Sequence, residues 1–412
     1  MSDFPVLAEP REGVPPVVAS PEALRRTCQA LQNGYGPIAI DTERAHGFRY
    51  NPRAYLIQLR REGSGTHLVD PVALGETEGL KPLADALAGT QWILHAAAQD
   101  MPCLAMDGLR PDDLFDTELA GRLLSLPRVG LGSMVEHYCR VTLLKEHSAS
   151  DWSRRPLPHD WLVYAALDVE LLNDVREKVI ADLREAGKDE WARQEFAHLV
   201  TVAAGLPSEE PGVDASRWRR ISHIGDIRSR AGLQLAHDLW LARDNLAHDL
   251  DIAPGRLLRD EALVAAAKHC DRTVNVDVEK ILSVKGFHRG QAMKYHQTWV
   301  DAIDHARGVS PKKYPPFREY SSAIPHPRSW ERHHPEEAAR WAAVRPAVNE
   351  MAADHDVPPE NLCTPAWLRQ FAWQPPHDLS VAGVDAFFAD LGARPWQRGI
   401  LASLLSEVMA QL

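Results

Sequence analysis

Short apolar runs separated by turn residues mark the first half of the chain. The run GPIAIDTE at residues 36–43 follows a turn and is typical of a buried strand. Three further strands are predicted from YLIQLRR, THLVD and WILHAA, at residues 55–61, 66–70 and 92–97. Helical patterns lie roughly at residues 80–89, 101–107, 116–126, 132–138, 160–175 and 188–204. Strands first, then a helix, a strand and more helices, predict an α/β domain with a mixed sheet.

After residue 204 the pattern changes to helices and loops. The stretch GLPSEEPGVDAS is rich in Gly, Pro, Ser and acids, which is typical of a linker, and a second break contains five prolines. Helices are predicted at residues 226–249, 256–270, 277–283 and 289–306, and a further helical block follows. The predicted divisions are an extended arm at 1–21, the α/β domain at 22–204, a linker at 205–219, a helical domain at 220–307, a Pro-rich linker at 308–329 and a second helical domain at 330–412.

The two helical domains share a short sequence frame. The pattern DxDIxPxxL from position 249 recurs as DxDVxPxxL from position 354, at an offset of 105 residues. The pair Lys285-Gly286 is echoed by Leu391-Gly392 at an offset of 106. These matches favour a duplication, with the second domain a diverged copy, over coincidence between two helix-loop-helix segments.

Composition narrows the class of protein. The chain has 412 residues, 45% of them hydrophobic, and lacks the run of about 18 apolar residues that a membrane-spanning helix needs. Its N-terminus does not resemble a secretory signal, so we expect a cytoplasmic protein without membrane contacts. Five scattered cysteines form no CxxC pair and indicate neither a disulfide framework nor a zinc finger. The net charge of −11 argues against a passive polyanion binder, although a site for divalent cations itself requires carboxylates.

Carboxylates recur at the ends of predicted elements. Asp41 and Glu43 stand two residues apart at the end of the first strand, so their side chains project from the same face. Asp100 follows the fourth strand, and Tyr164 and Asp168 lie one turn apart on one face of a helix. Each feature alone is commonplace, since exposed strand ends and first turns of helices often carry acids.

Together these residues predict a cation site. Four carboxylates that converge on one point form a hard-oxygen site suited to Mg²⁺ or Mn²⁺. The sequence has no Walker A loop, no GxGxxG loop and no GxSxG elbow. Metal-assisted phosphoryl chemistry is therefore the predicted class of reaction.

The order of these motifs resembles the DEDD superfamily of 3′–5′ exonucleases, in its tyrosine-containing branch, and within it the ribonuclease D family. The matching motifs are Asp41-Thr42-Glu43, His95 to Asp100, and Tyr164-x-x-x-Asp168. The segments YLIQL, FDTELAGRLL and residues 131–157 fit as well, whereas HAAAQD departs from the pattern of many members while keeping its aspartate. The first helical domain resembles an HRDC domain, a helical nucleic-acid-binding module.

This resemblance implies a ribonuclease H-like mixed sheet flanked by helices, followed by two all-α HRDC-like domains. It implies a 3′–5′ exoribonuclease that trims RNA 3′ ends, such as those of tRNA precursors, with two Mg²⁺ or Mn²⁺ ions and releases nucleoside 5′-monophosphates. Asp41, Glu43 and Asp168 would bind the first ion, and Asp41 would bridge to the second. Asp100 would act on the second ion directly or through its waters. Tyr164 would orient the attacking water.

Contacts with the substrate are predicted less directly. Thr42 lies between two acids, where its backbone can reach the terminal nucleotide, and Lys145, Arg154 and Arg155 flank the third motif. In the first helical domain Lys285 and Arg289 lie beside a glycine turn that leads into a helix, where a phosphate can bind. A solvated charged surface is the alternative for Lys145, Arg154 and Arg155, and a plain helix-packing loop is the alternative for the turn at Lys285 and Arg289. The alternatives for the whole protein are a DNA-directed exonuclease of the same superfamily and a non-catalytic nucleic-acid scaffold; protein partners are not predicted.

Overall fold

A computed structural model of the protein describes residues 4–143, 149–318 and 324–412. Its N-terminal domain contains eight strands and nine helices within the described ranges. In chain order they are β1 Val6–Leu7, β2 Val17–Val18, α1 Pro21–Asn33, β3 Tyr35–Arg44, β4 Ala54–Glu62, β5 Gly65–Val69, α2 Pro71–Leu74, α3 Glu76–Leu87, β6 Gln91–Leu94, α4 Met101–Met106, β7 Asp113–Asp116, α5 Thr117–Leu123, α6 Leu131–Cys139, β8 Thr142–Leu143, α7 His159–Glu170, α8 Leu172–Glu185 and α9 Asp189–Ala204.

Six of the strands form one sheet in the order β2-β5-β4-β3-β6-β7. Strand β3 pairs antiparallel with β4 and parallel with β6, and β7 continues the parallel side. The predicted mixed sheet is therefore confirmed, and its four predicted strands are β3, β4, β5 and β6. Because β3 and β6 run in the same direction, their carboxyl ends meet at one edge of the sheet, where α/β proteins commonly place ligand sites.

Several elements of this domain were not predicted: α1, α2, β1, β2, β7, β8 and most of α8. The first turn of helix α1 is capped by Ser20 Oγ, which accepts from the Ala23 amide at 3.3 Å. The segment at residues 1–21, predicted as an extended arm, contributes β1, which pairs with β8, and β2, which pairs with β5 at the edge of the main sheet. Residues 113–116 form strand β7 immediately before helix α5.

The two faces of the sheet are covered by different helices. Along β3, Ile38 and Ile40 are buried with residues of α1 and α3, whereas Ala39 is buried with residues of α7 and α8. Side chains alternate between the faces of a strand, so Asp41 and Glu43 continue the face of Ala39. Their carboxylates are thereby directed toward the layer that contains α7.

The rest of the described chain is helical. Helices are α10 Arg230–Asp249, α11 Pro254–Leu257, α12 Asp260–Ala267, α13 Val278–Leu282, α14 His296–Gly308, α15 Trp330–His333, α16 Pro335–Asp354, α17 Pro359–Leu362, α18 Pro365–Trp373, α19 Val381–Asp390 and α20 Pro395–Ala410. Residues 256–270, predicted as one helix, hold the end of α11 and all of α12, because the backbone is extended at Leu258. Among the described helices, none is both long and apolar enough to cross a lipid bilayer.

The two helical blocks correspond element by element. Helices α10 and α16 each have 20 residues, and each is followed by a short helix that starts five residues after its end. The connecting turns place Asp251 at φ 47° and Asp356 at φ 49°, an uncommon left-handed conformation for a residue other than glycine. Gly286 and Gly392 also share a positive φ. This correspondence supports the predicted duplication.

The blocks nevertheless contact the α/β domain differently. The second block shares one hydrophobic core with α5–α9, and Trp396 stacks on Trp191 with ring centroids 4.5 Å apart. At the same interface Glu195 accepts from Arg394 Nε and Trp396 Nε1, both at 2.8 Å. The first block has a separate core and docks through polar contacts, since Asp251 accepts from the backbone of Tyr50. The second block therefore packs as an extension of the α/β domain.

Candidate active site

Three carboxylates converge beside the end of β3. Asp41, Glu43 and Asp168 each place one ligand oxygen within 4.8 Å of those of the other two. Helix α7 packs across β3, β4 and β5, which brings Asp168 to the face from which Asp41 and Glu43 project. Tyr164 lies one turn earlier on α7 and forms a hydrogen bond with Asp168.

Asp100 joins the site from the neighbouring strand. It stands at the start of α4, just beyond the carboxyl end of β6, and is only 4% exposed. Thr42 Oγ1 donates to Asp100 Oδ1 at 2.7 Å, and Arg44 Nη2 lies 3.8 Å from the same oxygen. The acid is thus held by the two residues that flank Glu43, which explains how β3 fixes the position of a side chain from another element.

Burial and mutual repulsion oppose full ionisation of this cluster. Burial, followed by the charges of Asp100 and Asp168, raises the pKa of Asp41 well above its ordinary value. Burial, followed by the charges of Asp41, Asp168 and Asp100, raises the pKa of Glu43 to about 10. Burial raises the pKa of Asp100 to about 6 and that of Asp168 to about 7, although a hydrogen bond from Tyr164 partly offsets the latter. Such a cluster requires positive charge for all its members to be ionised.

The ligand atoms fit a hard divalent cation. All four acids offer carboxylate oxygens, which Mg²⁺ and Mn²⁺ prefer, and Asp100 lies close enough to Asp41 for its charge to act on it. The only cluster of three or more potential ligand residues identified within the described ranges is Asp41, Glu43 and Asp168. A divalent cation placed there would neutralise the repulsion that raises the pKa values.

Two residues that support the site were not predicted from the sequence. Asp116, at the end of β7, accepts from the Ala96 amide at 3.1 Å and the Ala97 amide at 2.9 Å, and so holds the turn that leads to Asp100. Arg44 donates to the Gln99 carbonyl and faces Asp100. An acid that follows an apolar run and precedes a helix, as in FDTEL, is the sequence signal that points to Asp116.

The residues predicted to contact the substrate lie in different environments. The Thr42 side chain is buried and donates a hydrogen bond to Asp100. Lys145 lies outside the described residues. Arg155 forms a bidentate pair with Asp70 at 2.6 and 2.9 Å and also donates to the Tyr55 carbonyl, so its guanidinium stabilises the fold, and its contact with a phosphate stays a prediction. Arg154 is exposed.

The predicted nucleic-acid contacts of the first helical domain lie at its surface. Lys285 and Arg289 are exposed on either side of the turn at Gly286, which has a φ of 123°. A 3₁₀ helix at Ala292–Tyr295, followed directly by α14, comes after this turn. Both side chains are therefore accessible, and their role stays a prediction.

Three family models match successive parts of the chain. A 3′–5′ exonuclease model matches residues 15–184, an HRDC domain model matches residues 232–303, and a model described as a 3′ to 5′ exonuclease C-terminal domain matches residues 323–409. The chain therefore combines an exonuclease domain that fits divalent metal ions with an HRDC domain. The HRDC model covers the first helical block only, so the origin of the second block as a copy stays a prediction.

Individual relatives define the family. Ribonuclease D from Zymomonas mobilis is 30% identical over 305 residues, covering 73% of this chain and 75% of the relative. A crystal structure of a protein from Bifidobacterium adolescentis has 36% identity and a TM-score of 0.84, covering 99% of this chain and all of the other. The crystal structure of Escherichia coli RNase D shares the fold, with 23% identity, a TM-score of 0.65 and coverage of 96% and 98%. The chain belongs to the ribonuclease D family and is a 3′–5′ exoribonuclease.

Proposed function

We propose that this exoribonuclease uses two divalent metal ions to trim the 3′ ends of structured RNA, such as tRNA precursors, and releases nucleoside 5′-monophosphates. The observation that carries the proposal is the convergence of Asp41, Glu43 and Asp168, with Asp100 approaching from β6. Asp41, Glu43 and Asp168 would hold one ion, and Asp41 and Asp100 would hold the other. Such ions activate a water molecule and stabilise the leaving oxygen at phosphorus.

Tyr164 is proposed to orient the attacking water. Burial, followed by the charges of Asp168, Glu43 and Asp41, raises the pKa of Tyr164 above its ordinary value. The phenol therefore keeps its proton at neutral pH and acts as a hydrogen-bond donor instead of a base. Its position one turn before Asp168 places it beside the carboxylates.

The RNA substrate and the choice of metal rest on different support. Escherichia coli RNase D is described as an exoribonuclease involved in structured RNA processing. This description supports the proposal that the present enzyme also acts on structured RNA. The ligand set contains only carboxylate oxygens, which suit both Mg²⁺ and Mn²⁺. We propose that either ion supports the reaction.

The test is a gel assay on RNA labelled at its 5′ end and carrying a single-stranded 3′ tail. We expect a ladder that shortens from the 3′ end with Mg²⁺ or Mn²⁺ and stops with chelator. Asp41→Ala removes a ligand that both ions share and is expected to lower the rate at least about 1,000-fold. Asp160→Ala, which removes an exposed carboxylate from the same helix as Asp168, is the matched control and should cleave normally.

The same assay with a DNA of matched sequence measures the sugar preference. Equal cleavage of DNA would contradict an enzyme specialised for RNA. Retained RNA binding without any cleavage by the wild-type protein, with either ion, would contradict the catalytic proposal and favour a nucleic-acid scaffold.

A further inference from the structure

A cleft with a volume of about 470 Å³ lies between the α/β domain and the first helical domain. One wall is the loop that follows β3, at residues 44–52, and the other is formed by residues 211–221, α10 and the start of α11 and α12. Five arginines line it, and we call it the arginine cleft. They are Arg44, Arg49, Arg217, Arg220 and Arg243.

The arginine cleft is positive within an acidic protein. Its lining contains two carboxylates, Asp244 and Asp260, against the five guanidinium groups. The whole chain carries a net charge of −11. Guanidinium groups therefore outnumber carboxylates in this lining, while Arg44 and Arg49 also lie 3.8 and 3.9 Å from Asp100 and Asp251 outside it. A concave shape strengthens the local field that attracts anions.

The arginine cleft and the active site are connected through one residue, Arg44. Arg44 lines it and at the same time lies 3.8 Å from the carboxylate of Asp100, one residue after Glu43 along β3. A strand whose 3′-terminal phosphodiester lies at the carboxylates would have its next nucleotides beside Arg44. Arg44 therefore lies where a strand could pass from the carboxylates toward the cleft.

Two arginines are held in place by the protein. Arg49 Nε donates to Ser153 Oγ at 2.8 Å. Arg243 is 4% exposed and donates to the Leu258 carbonyl at 3.0 Å and to Asp260 at 2.7 Å, while its Nε is buried without a hydrogen-bond partner among the described residues. Arg243 Nη2 also donates to Asp244 at 3.3 Å, so two carboxylates hold this guanidinium as part of the wall of the cleft.

The other two arginines, Arg217 and Arg220, are exposed at the rim of the cleft. They follow one another by three residues in a 3₁₀ helix at Ala215–Arg220, where residues three apart share one side. Two aromatic residues, Tyr50 and Trp240, also line the cleft. Guanidinium groups that contact phosphates, together with aromatic rings that stack on bases, are the usual equipment for single-stranded RNA.

We propose that the arginine cleft binds the phosphodiester backbone of the nucleotides that precede the 3′-terminal one. This inference rests on the proposed function, because it requires the 3′ end to lie at the carboxylates. The interface between the nuclease and the first helical domain is then a binding surface for RNA. Arg217 and Arg220 contact phosphates that lie beyond the length of a dinucleotide. An acidic peptide is the competing ligand, and its binding is one outcome of the test.

The test compares Arg217→Gln/Arg220→Gln with Arg228→Gln/Arg272→Gln in the full chain. The second pair removes two exposed arginines of the same domain that do not line the cleft. Binding of a fluorescent ten-nucleotide adenylate is measured with Mg²⁺ in an Asp41→Ala background, over a range of salt concentrations. Cleavage of the same RNA and of a diadenylate is measured without that background substitution.

We expect the cleft variant to bind the ten-nucleotide RNA about 10-fold more weakly and the control to bind normally. Two lost phosphate contacts should flatten the slope of log affinity against log salt by about 1.4, at about 0.7 per contact for single strands. Cleavage of the diadenylate should stay within about twofold of wild type, because that substrate does not reach Arg217 or Arg220. Melting temperature should also be unchanged.

Each contrary result has a separate meaning. Normal RNA affinity in the cleft variant overturns the inference and leaves the exonuclease assignment intact. An equal loss on the diadenylate, or a lower melting temperature, shows that the two arginines serve the active site or the domain interface instead. Displacement of the RNA by decaglutamate at equal concentration assigns the cleft to acidic ligands in general. Failure of the wild-type protein to cleave either RNA refutes the proposed function itself.

Discussion

Replacing Thr42 with valine tests how the protein keeps Asp100 ionised. Thr42 Oγ1 donates to Asp100 Oδ1 at 2.7 Å, and both residues are buried, at 5% and 4% exposure. This hydrogen bond lowers the pKa of Asp100, whereas burial raises it, and the net result is a pKa of about 6. Valine has nearly the same shape but cannot donate, so the substitution removes the bond without opening a cavity.

The expected size of the effect follows from the geometry. A hydrogen bond to a charged acceptor contributes about 1.5–3 kcal/mol, which corresponds to roughly a tenfold to hundredfold change in the proton affinity of Asp100. With a pKa of about 6, the wild-type carboxyl is mostly ionised at pH 7. In the variant about half or less is ionised at that pH, because the folded-state pKa rises. Protons compete with the cation for this oxygen, so the apparent Mg²⁺ affinity should fall about 2- to 10-fold.

The assay is a titration of exonuclease activity with Mg²⁺ at pH 7 and at pH 9. Raising the pH deprotonates Asp100 in both proteins, so the difference between them should shrink strongly at pH 9. Thr42→Ser keeps the hydroxyl and is the matched control, with a Mg²⁺ requirement close to that of wild type at both values. A loss in Thr42→Val that is the same at pH 7 and pH 9 would refute the argument from ionisation and indicate a distorted site.

Three further substitutions test other parts of the structure. Tyr164→Phe should lower kcat at saturating Mg²⁺ about 10- to 100-fold, since it removes one orienting hydrogen bond; an unchanged kcat would exclude Tyr164 from orienting the water. The apparent Mg²⁺ affinity should also fall at pH 7, because the same hydroxyl lowers the pKa of Asp168. Glu195→Ala removes the carboxylate partner of Arg394 Nε and Trp396 Nε1 in a buried interface and should destabilise the protein by about 3–5 kcal/mol in urea unfolding, with Glu195→Gln less damaging. Asp251→Ala removes the acceptor of the Tyr50 and Asn51 amides and should increase proteolysis of the segment at 205–219; equal proteolysis of both proteins would show that other contacts hold the first helical domain.

The carboxylates were predictable because their spacing follows from local geometry. Positions i and i+2 on a strand share a face, which placed Asp41 with Glu43, and positions i and i+4 on a helix placed Tyr164 with Asp168. Their convergence with Asp100 came from the family resemblance, since no periodicity in the sequence tells which helix packs on which face. The mixed sheet was predictable because the segments that form β3 to β6 are apolar runs bounded by turn residues.

The remaining elements depend on tertiary contacts that the sequence does not display. Strand β2 has two residues and β7 has four, too few to show an alternating pattern, and both are strands only because they pair with β5 and β6. Helix α1 carries an N-terminal proline and a serine cap that do favour a helix, but the prolines that precede it predicted an extended arm.

Two basic residues show the limit of the prediction of substrate contacts. Arg155 and Arg154 are adjacent in the sequence and have the same charge, yet Arg155 pairs with Asp70, 85 residues away. Arg44 was not predicted, because it follows a motif, Asp41-Thr42-Glu43, whose interpretation depends on its two acids. An arginine is available to a ligand, or is paired within the protein, according to which acids the topology brings near it.

The core that α20 shares with the nuclease helices also bears on how the enzyme is made. Residues from Ala39 of the catalytic sheet to Met409 near the end of α20 belong to one buried cluster. Ribosomal synthesis proceeds from the N-terminus, so the side chains that complete this core are made last. We therefore expect a nascent chain that has passed all of its catalytic residues to lack full nuclease activity until α20 has emerged from the ribosome.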